Sequence, residues 1–173
     1  MGVADMLNQL GVSYDSKEGI DIITRAMEFI TNAAYQASAS LAGEKGASPI
    51  YSEDEYMECP FIEAALSQET QTFIRENGIR NIAIMSIAPT GSISNIIKGF
   101  QIDDKNYIGV SGGVEPIFAL YYTRRTESFK KNEFYKVFHS TVQAYIDKMN
   151  LQEEVDSNEQ VEDALPDYFH RTA

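Results

Sequence analysis

Tryptophan is absent, and cysteine occurs once, as Cys59, among 173 residues. A single thiol makes no disulfide within the chain and no cysteine-based metal site, which fits a reducing, cytoplasmic setting. Positive charge is also short: 14 Lys and Arg against 26 Asp and Glu leave a formal net charge of −12. Neither a nucleic acid polymer nor an anionic membrane is expected as a partner, because both are bound by a cationic surface that displaces counterions. A small phosphorylated ligand is still admitted, since a local pocket of N–H donors binds phosphate within an acidic protein. No uninterrupted apolar run approaches the roughly 18 residues of a membrane span, and no charged-then-apolar leader opens the chain. Met1-Gly2 is not a myristoylation signal, because Met6 stands where Ser or Thr is required. The expectation is a soluble protein retained in the cell. Metal-ligand spacings, a nucleophile elbow and internal repeats are missing too. What remains is a globular composition, 43% hydrophobic and 11% aromatic, in a length that suits one domain or part of a larger one.

Residues 81–100, NIAIMSIAPTGSISNIIKGF, hold the most informative pattern. Ile82, Ala83, Ile84, Met85, Ile87 and Ala88 form a nearly continuous apolar run rich in β-branched residues. It predicts a strand buried on both faces, as in a barrel or a doubly wound sheet. Pro89 lacks the N–H that a ladder needs and restricts Ala88, so the strand should end there. Thr90, Gly91 and Ser92 then lead into Ile93, Ile96 and Ile97, a short helix over 92–98 that Gly99 stops. A helix start carries unpartnered N–H groups and the positive end of the macrodipole, and a strand, a glycine turn and a helix start together cradle phosphate. Thr90 and Ser92 add hydroxyl donors. No Lys or Arg lies between Asn81 and Ile97, so an anion here rests on neutral groups. The same spacing also suits a plain strand-to-helix turn in which Thr90 or Ser92 only caps the helix.

Elsewhere the pattern is mostly helical. Val3, Met6, Leu7 and Leu10 predict a short helix over 2–10 stopped by Gly11. Asp15 and Ser16 offer a cap for a longer one, whose apolar positions run Ile20, Ile23, Met27, Ile30, Ala34, Ala37 and Leu41 and end near Gly43 or Gly46. The Ala and Ser residues from Ala33 to Ala42 point to close approach of a neighbouring helix. Residues 46–63 carry five acids and no base and read as a solvated acidic loop broken by Pro49 and Pro60. Cys59 lies there as an ordinary free thiol. Residues 61–77 make one or two short helices ending at Asn77-Gly78, and Arg80 is expected to pair with a carboxylate rather than a phosphate.

In the second half, residues 101–113 read as loop, with a turn at Asp103, Asp104 and Lys105. Gly109, Gly112 and Gly113 keep its backbone bare, as in loops that border the ligand of a barrel enzyme. Glu115 and Pro116 open a second apolar strand over 117–122, and Glu115 suits a buried hydrogen-bonding role and surface exposure equally. Residues 132–149 predict an amphipathic helix capped by Asn132, with Phe134, Val137, Phe138, Thr141, Tyr145, Ile146 and Met149 on one side and His139 flanking it, partly buried. Residues 151–163 hold six acids and no base, an acidic linker or a helix held off the core by charge. The tail, LPDYFHRTA, turns apolar again.

Three motifs follow one another: GIRN at 78–81, APTGSIS at 88–94 and SGGVEPIFA at 111–119. In that order they resemble the catalytic subunit of ribonucleotide reductase, most of all its adenosylcobalamin-dependent (class II) branch, which carries GIRN, APTG(S/T)IS and SSG(I/V)EPVFA. Here SGG replaces SSG, and Ile117 stands where Val is more usual. The opening MGVADMLNQLGVSYDS and the closing LPDYFHRTA are also similar to that family, so the resemblance covers nearly the whole chain, weakest over 48–71 and 130–163.

The resemblance implies an α/β fold: 1–173 as a single segment from the C-terminal part of the family's ten-stranded α/β barrel, helix-rich with two or more buried strands. It places Ala88, Pro89, Thr90, Gly91, Ser92 and Ile93 at the site for the phosphates of the ribonucleotide substrate. The family reaction, a ribonucleoside-diphosphate reductase activity that makes deoxyribonucleotides for DNA synthesis, replaces the ribose 2′-hydroxyl with hydrogen by radical chemistry. In class II, adenosylcobalamin starts the radical and cysteines supply electrons. The family's radical cysteine lies in an Asn-Pro-Cys-Gly-Glu type motif, which is missing here. No catalytic residue and no metal ligand is therefore assigned, the cofactor is implied only for the complete enzyme, and the chain alone is expected to be inactive. A barrel segment exposes strand edges and apolar surface, so a complementary reductase chain or a second copy is the expected partner. A stand-alone phosphate- or nucleotide-binding module and a non-catalytic structural fragment are the alternatives.

Overall fold

The computed structural model describes residues 1–94, 96–97, 99–110, 112–117, 119–128, 131–157 and 161–170. In chain order they form helices α1 (Val3–Leu10), α2 (Lys17–Lys45), α3 (Glu53–Met57), α4 (Pro60–Ala65), α5 (Gln68–Asn77) and α6 (Gly91–Ser94), then strands β1 (Phe100–Ile102), β2 (Lys105–Tyr107), β3 (Tyr121–Ser128) and β4 (Lys131–Phe138). Helices α7 (Ser140–Met149) and α8 (Gln152–Ser157), a 3-10 turn over Val161–Ala164 and helix α9 (Asp167–His170) complete them. Two compact units result: Met1–Ile20 with Ala88–Ala173, and Asp21–Ile87. The strands form two separate antiparallel hairpins, and no closed barrel is present among the described residues.

The unit Asp21–Ile87 is helical. Helix α2 ends near the expected glycines, and at its start the Ser16 hydroxyl accepts the Gly19 N–H at 2.9 Å. Its buried positions, however, are Thr31, Ser38, Ala39 and Ala42, while Phe29, Ile30 and Leu41 are exposed. The predicted Ile30 and Leu41 stripe is therefore not the packed one. Small residues let a neighbouring helix come close, and the Gln36 amide donates to the Thr70 hydroxyl of α5 at 2.9 Å. Ala39, Ile62, Leu66, Ile74 and Ile79 make the core, framed by Tyr35, Tyr51, Tyr56, Met57 and Phe73.

Within the expected acidic loop, two short helices form. Glu53, Asp54 and Glu55 crowd the first turn of α3, where carboxylates favour the dipole. Pro60 occupies the opening turn of α4 and so starts a helix instead of breaking one. Cys59 is exposed, as expected of an ordinary thiol. The Arg80 guanidinium donates to the Gly46 carbonyl at 3.3 Å and makes none of the expected carboxylate pairing among the described residues.

Residues 82–88 depart most from expectation. They form no helix or strand among the described residues; Ile82, Met85 and Ile87 are exposed, and Ile84 packs partly buried against the core of its unit. A strand apolar on both faces needs neighbours on both sides. The two hairpins do not supply them.

In the other unit, Asp103 and Asp104 both adopt positive φ, 48° and 60°, as the two-residue turn joining β1 to β2. Residues read as loop thus hold a short hairpin. The apolar stretch at 117–122 becomes a strand only from Tyr121; Phe118 lies outside the described residues, as do Asn95 and Lys98 of the helix expected over 92–98 and Arg171, Thr172 and Ala173 of the tail. Strand β3 pairs with β4 from Tyr121↔Phe138 to Ser128↔Lys131, so the helix expected over 132–149 exists only as α7. Four of the five residues 134–138 are aromatic or β-branched, a composition that favours a strand once a partner lies opposite.

Val142 and Ile146 of α7 pack with Leu120, Phe138, Val155, Val161, Leu165 and Phe169 in the core of this unit. Within the acid-rich stretch, Val155 and Val161 therefore lie in the core, and the tail docks there through Phe169. His139 is half-buried just before α7, as expected. Burial pushes its imidazole below the ordinary value, partly opposed by the Asp5 charge and a hydrogen bond to the Ala119 backbone.

The unfolded chain therefore binds a proton more readily than the folded one just below the ordinary histidine range, and stability falls as pH drops through about 6.5, levelling off below the folded value. Thermal melts at about pH 7.5 and about pH 5.5 should show a smaller acid-induced loss for His139→Gln than for the parent chain; an equal loss contradicts the assignment.

Candidate functional site

The residues singled out in the sequence, Ala88, Pro89, Thr90, Gly91, Ser92 and Ile93, form one tight turn entering α6. Ala88, Pro89, Ser92 and Ile93 are exposed, and Thr90 and Gly91 are half-buried. Thr90 sits at φ 56°, a left-handed conformation rare for a β-branched residue. Its carbonyl accepts the Ser94 N–H at 3.1 Å, and the buried Ser94 hydroxyl donates to the Gly91 carbonyl. The Thr90 hydroxyl oxygen is itself buried and has no hydrogen-bond partner among the described residues. It does not cap the helix, so that simpler reading of Thr90 fails. Helix α6 lasts four residues and continues only as turns closed by Ile96 N–H to Ile93 and Ile97 N–H to Ser94.

A second bare segment lies against this turn. Gly113 is buried, and a methyl group built on it would overlap the Pro89 carbonyl oxygen. Only glycine allows that approach. Glu115, half-buried, accepts the Gly113 N–H on Oε1 at 3.2 Å. Hydrogen bonds from the backbone N–H groups of Glu115 itself, Gly113 and Val114 hold its carboxyl below the ordinary range. A methyl on Gly91 would stand 3.5 Å from the same Oε1, so this carboxylate borders both segments. Glu115 thus falls between the two alternatives, hydrogen-bonded but only half-buried.

The N-terminal residues hold the glycine segment in place. Gly2 N–H donates to the Gly112 carbonyl at 3.0 Å, Val3 N–H to Gly113 at 3.4 Å, and the Tyr14 hydroxyl to Val114 at 2.6 Å. Asp5 is 2% exposed, and its two carboxylate oxygens take the Gly112 N–H at 3.3 Å and the Thr141 hydroxyl at 3.4 Å. Sequence reasoning missed Asp5. The buried positions of α1 are Ala4, Asp5, Leu7 and Asn8, whereas Leu10, expected on the packed side, is 58% exposed. The one local signal was an acid between Ala4 and Leu7 in an otherwise apolar turn. No group of three or more His, Cys, Asp or Glu able to hold a metal comes together among the described residues.

The contact between Gly113 and Pro89 is open to a direct test. Gly113→Ala should destabilise the chain by about 1–3 kcal/mol and shift the backbone amide resonances of residues 90–94. Gly112→Ala, with only Glu115 Oε1 at 4.0 Å, should leave both nearly unchanged. Equal effects of the two substitutions would remove the contact as the organising one.

The family described as ribonucleotide reductase, barrel domain, matches residues 1–172. The chain is similar to the vitamin B12-dependent ribonucleoside-diphosphate reductase of Mycobacterium tuberculosis, 36% identical over 124 residues that make up 72% of this chain and 14% of that protein. The protein of the same description from Thermoplasma acidophilum is 34% identical over 126 residues, 72% of this chain and 13% of its own length. The ribonucleoside-diphosphate reductase subunit alpha of Chlamydia muridarum is 31% identical over 139 residues, 68% of this chain and 12% of its own length. The chain thus spans only 12–14% of the length of these relatives. Matched over all but its last residue, the chain belongs to the ribonucleotide reductase barrel-domain family.

Proposed function

We propose that the chain is the C-terminal part of the barrel of a class II, adenosylcobalamin-dependent ribonucleotide reductase, and that residues 88–93 bind the phosphates of the ribonucleotide substrate. Two relatives named as vitamin B12-dependent support the branch. The observation that carries the site is the turn itself: Thr90 held left-handed, with a buried hydroxyl that has no partner among the described residues, beside exposed Ser92 and Ile93. An unpaired buried hydroxyl costs about 1–3 kcal/mol, which a ligand oxygen relieves. Backbone amides and neutral hydroxyls then orient the substrate by its phosphates, which is the positioning part of catalysis.

The bond-breaking chemistry belongs to the complete enzyme. In this reading the radical and redox cysteines lie outside the chain, since Cys59 is its one thiol and is exposed. The described residues offer no evident cradle for cobalamin. His139, the one histidine whose side chain is described, is half-buried and hydrogen-bonded to the Ala119 backbone. When bound in the complete enzyme, the cofactor supplies the initiating radical. The ribonucleotide and a complementary reductase chain or a second copy are the partners, and the setting is cytoplasmic. Among the described residues, no helix is long and apolar enough to cross a membrane. Exposed apolar side chains support the partner: Ile87 is 76% exposed in one unit and Ile96 75% in the other.

Calorimetric titration of the purified chain with a ribonucleoside diphosphate should show binding that Thr90→Ala and Gly91→Ala each weaken by about fivefold or more. No turnover is expected on adding adenosylcobalamin, and turnover would refute the division of labour. Absence of binding, alone and with the remainder of a reductase, would leave a structural fragment. Sedimentation should show self-association or capture of the complementary chain; a stable monomer indifferent to both contradicts the partner proposal.

A further inference from the structure

We infer that Glu115 is a resident anion at the phosphate turn, so that a phosphate arriving at residues 89–92 meets a carboxylate of the chain's own and competes with it for neutral donors. The inference rests on the phosphate reading of that turn and adds to it the residue that limits affinity. Its basis is geometric. Oε1 accepts the Gly113 N–H at 3.2 Å and lies 3.5 Å from where a Gly91 methyl would stand, so the carboxylate borders both backbone segments. Successive backbone N–H groups form a concavity that takes an anion, and here the anion is internal. Neither segment carries a Lys or Arg, since none occurs over 81–97 or 106–123, and among the described residues the one positive charge that acts on Glu115 is the α-ammonium of Met1. A carboxylate held by the N–H groups of 113–115 and a phosphate at the neighbouring turn oppose each other, most strongly at low ionic strength.

The experiment is a pyrophosphate titration of the full chain, read by calorimetry at low and high salt, with a thermal melt to verify folding. Glu115→Gln keeps an acceptor for the Gly113 N–H and removes the charge. It should bind pyrophosphate about five- to tenfold tighter than the parent chain, the gain shrinking as salt rises. Glu115→Asp, which retains the charge, should stay near the parent, and Glu115→Ala reads the same quantity as Glu115→Gln should the latter fold poorly. A carboxylate that only braces the loop gives the opposite result: weaker or unchanged binding in Glu115→Gln with no salt dependence of the difference. That outcome, together with parent binding that Thr90→Ala weakens, overturns the resident anion and leaves the phosphate turn standing. No binding by the parent, Glu115→Gln or Glu115→Ala overturns both.

Discussion

Two backbones meet with no side chain between them where Gly113 lies on the Pro89 carbonyl, and the turn at 88–93 is set against the glycine segment by that approach. A residue with a Cβ at position 113 would push the segments apart. The glycine segment is fixed from behind by α1. Asp5 brings a carboxylate into a place almost closed to water, which is unfavourable unless its oxygens are occupied. The Gly112 N–H and the Thr141 hydroxyl occupy them, and the first turn of α1 gives the charge a favourable dipole. One side chain thereby ties a helix start, a loop and a second helix together, and the site is a by-product of that arrangement.

Helix limits could be read from the chain because their causes are local. Ser16 caps α2, and Gly11 and Gly78 end helices at positive φ, whereas Pro60, expected as a breaker, opens α4. Which face is buried could not be read that way. Period alone favours Ile30 and Leu41, but Ser38, Ala39 and Ala42 are buried because their small size admits another helix. The spacing of Phe134, Val137 and Phe138 fits a helix and an aromatic-rich strand alike, and only the distant partner β3 decides for the strand. Residues 82–88 carry the composition of an enclosed strand whose neighbours are not among the described residues. The turn at 88–93 was visible through its proline, glycine and hydroxyls. Asp5 was not, because an acid in a short amphipathic helix ordinarily faces solvent.

The chain therefore combines settled and unsettled surfaces. Each unit has a core of its own, one around Ile74 and Ile79 and one around Val142, Ile146 and Phe169. Beside these, large apolar side chains such as Phe29, Ile87 and Ile96 remain in water. A sequence whose apolar pattern exceeds what its own packing uses fits a family in which this region is a minor share of a much longer protein.

The pairings that build the site join residues far apart along the chain. Asp5 reaches Gly112 across 107 positions and Thr141 across 136. The β1–β2 hairpin, by contrast, closes over two residues and stacks Phe100 on Tyr107 at 4.9 Å. Closing a long loop must offset its entropy before any contact rewards it, so short-range pieces assemble first and long-range ones last. The turn at 88–93 and the glycine segment beside it are consequently expected to reach their final arrangement only when the ends of the unit have found each other.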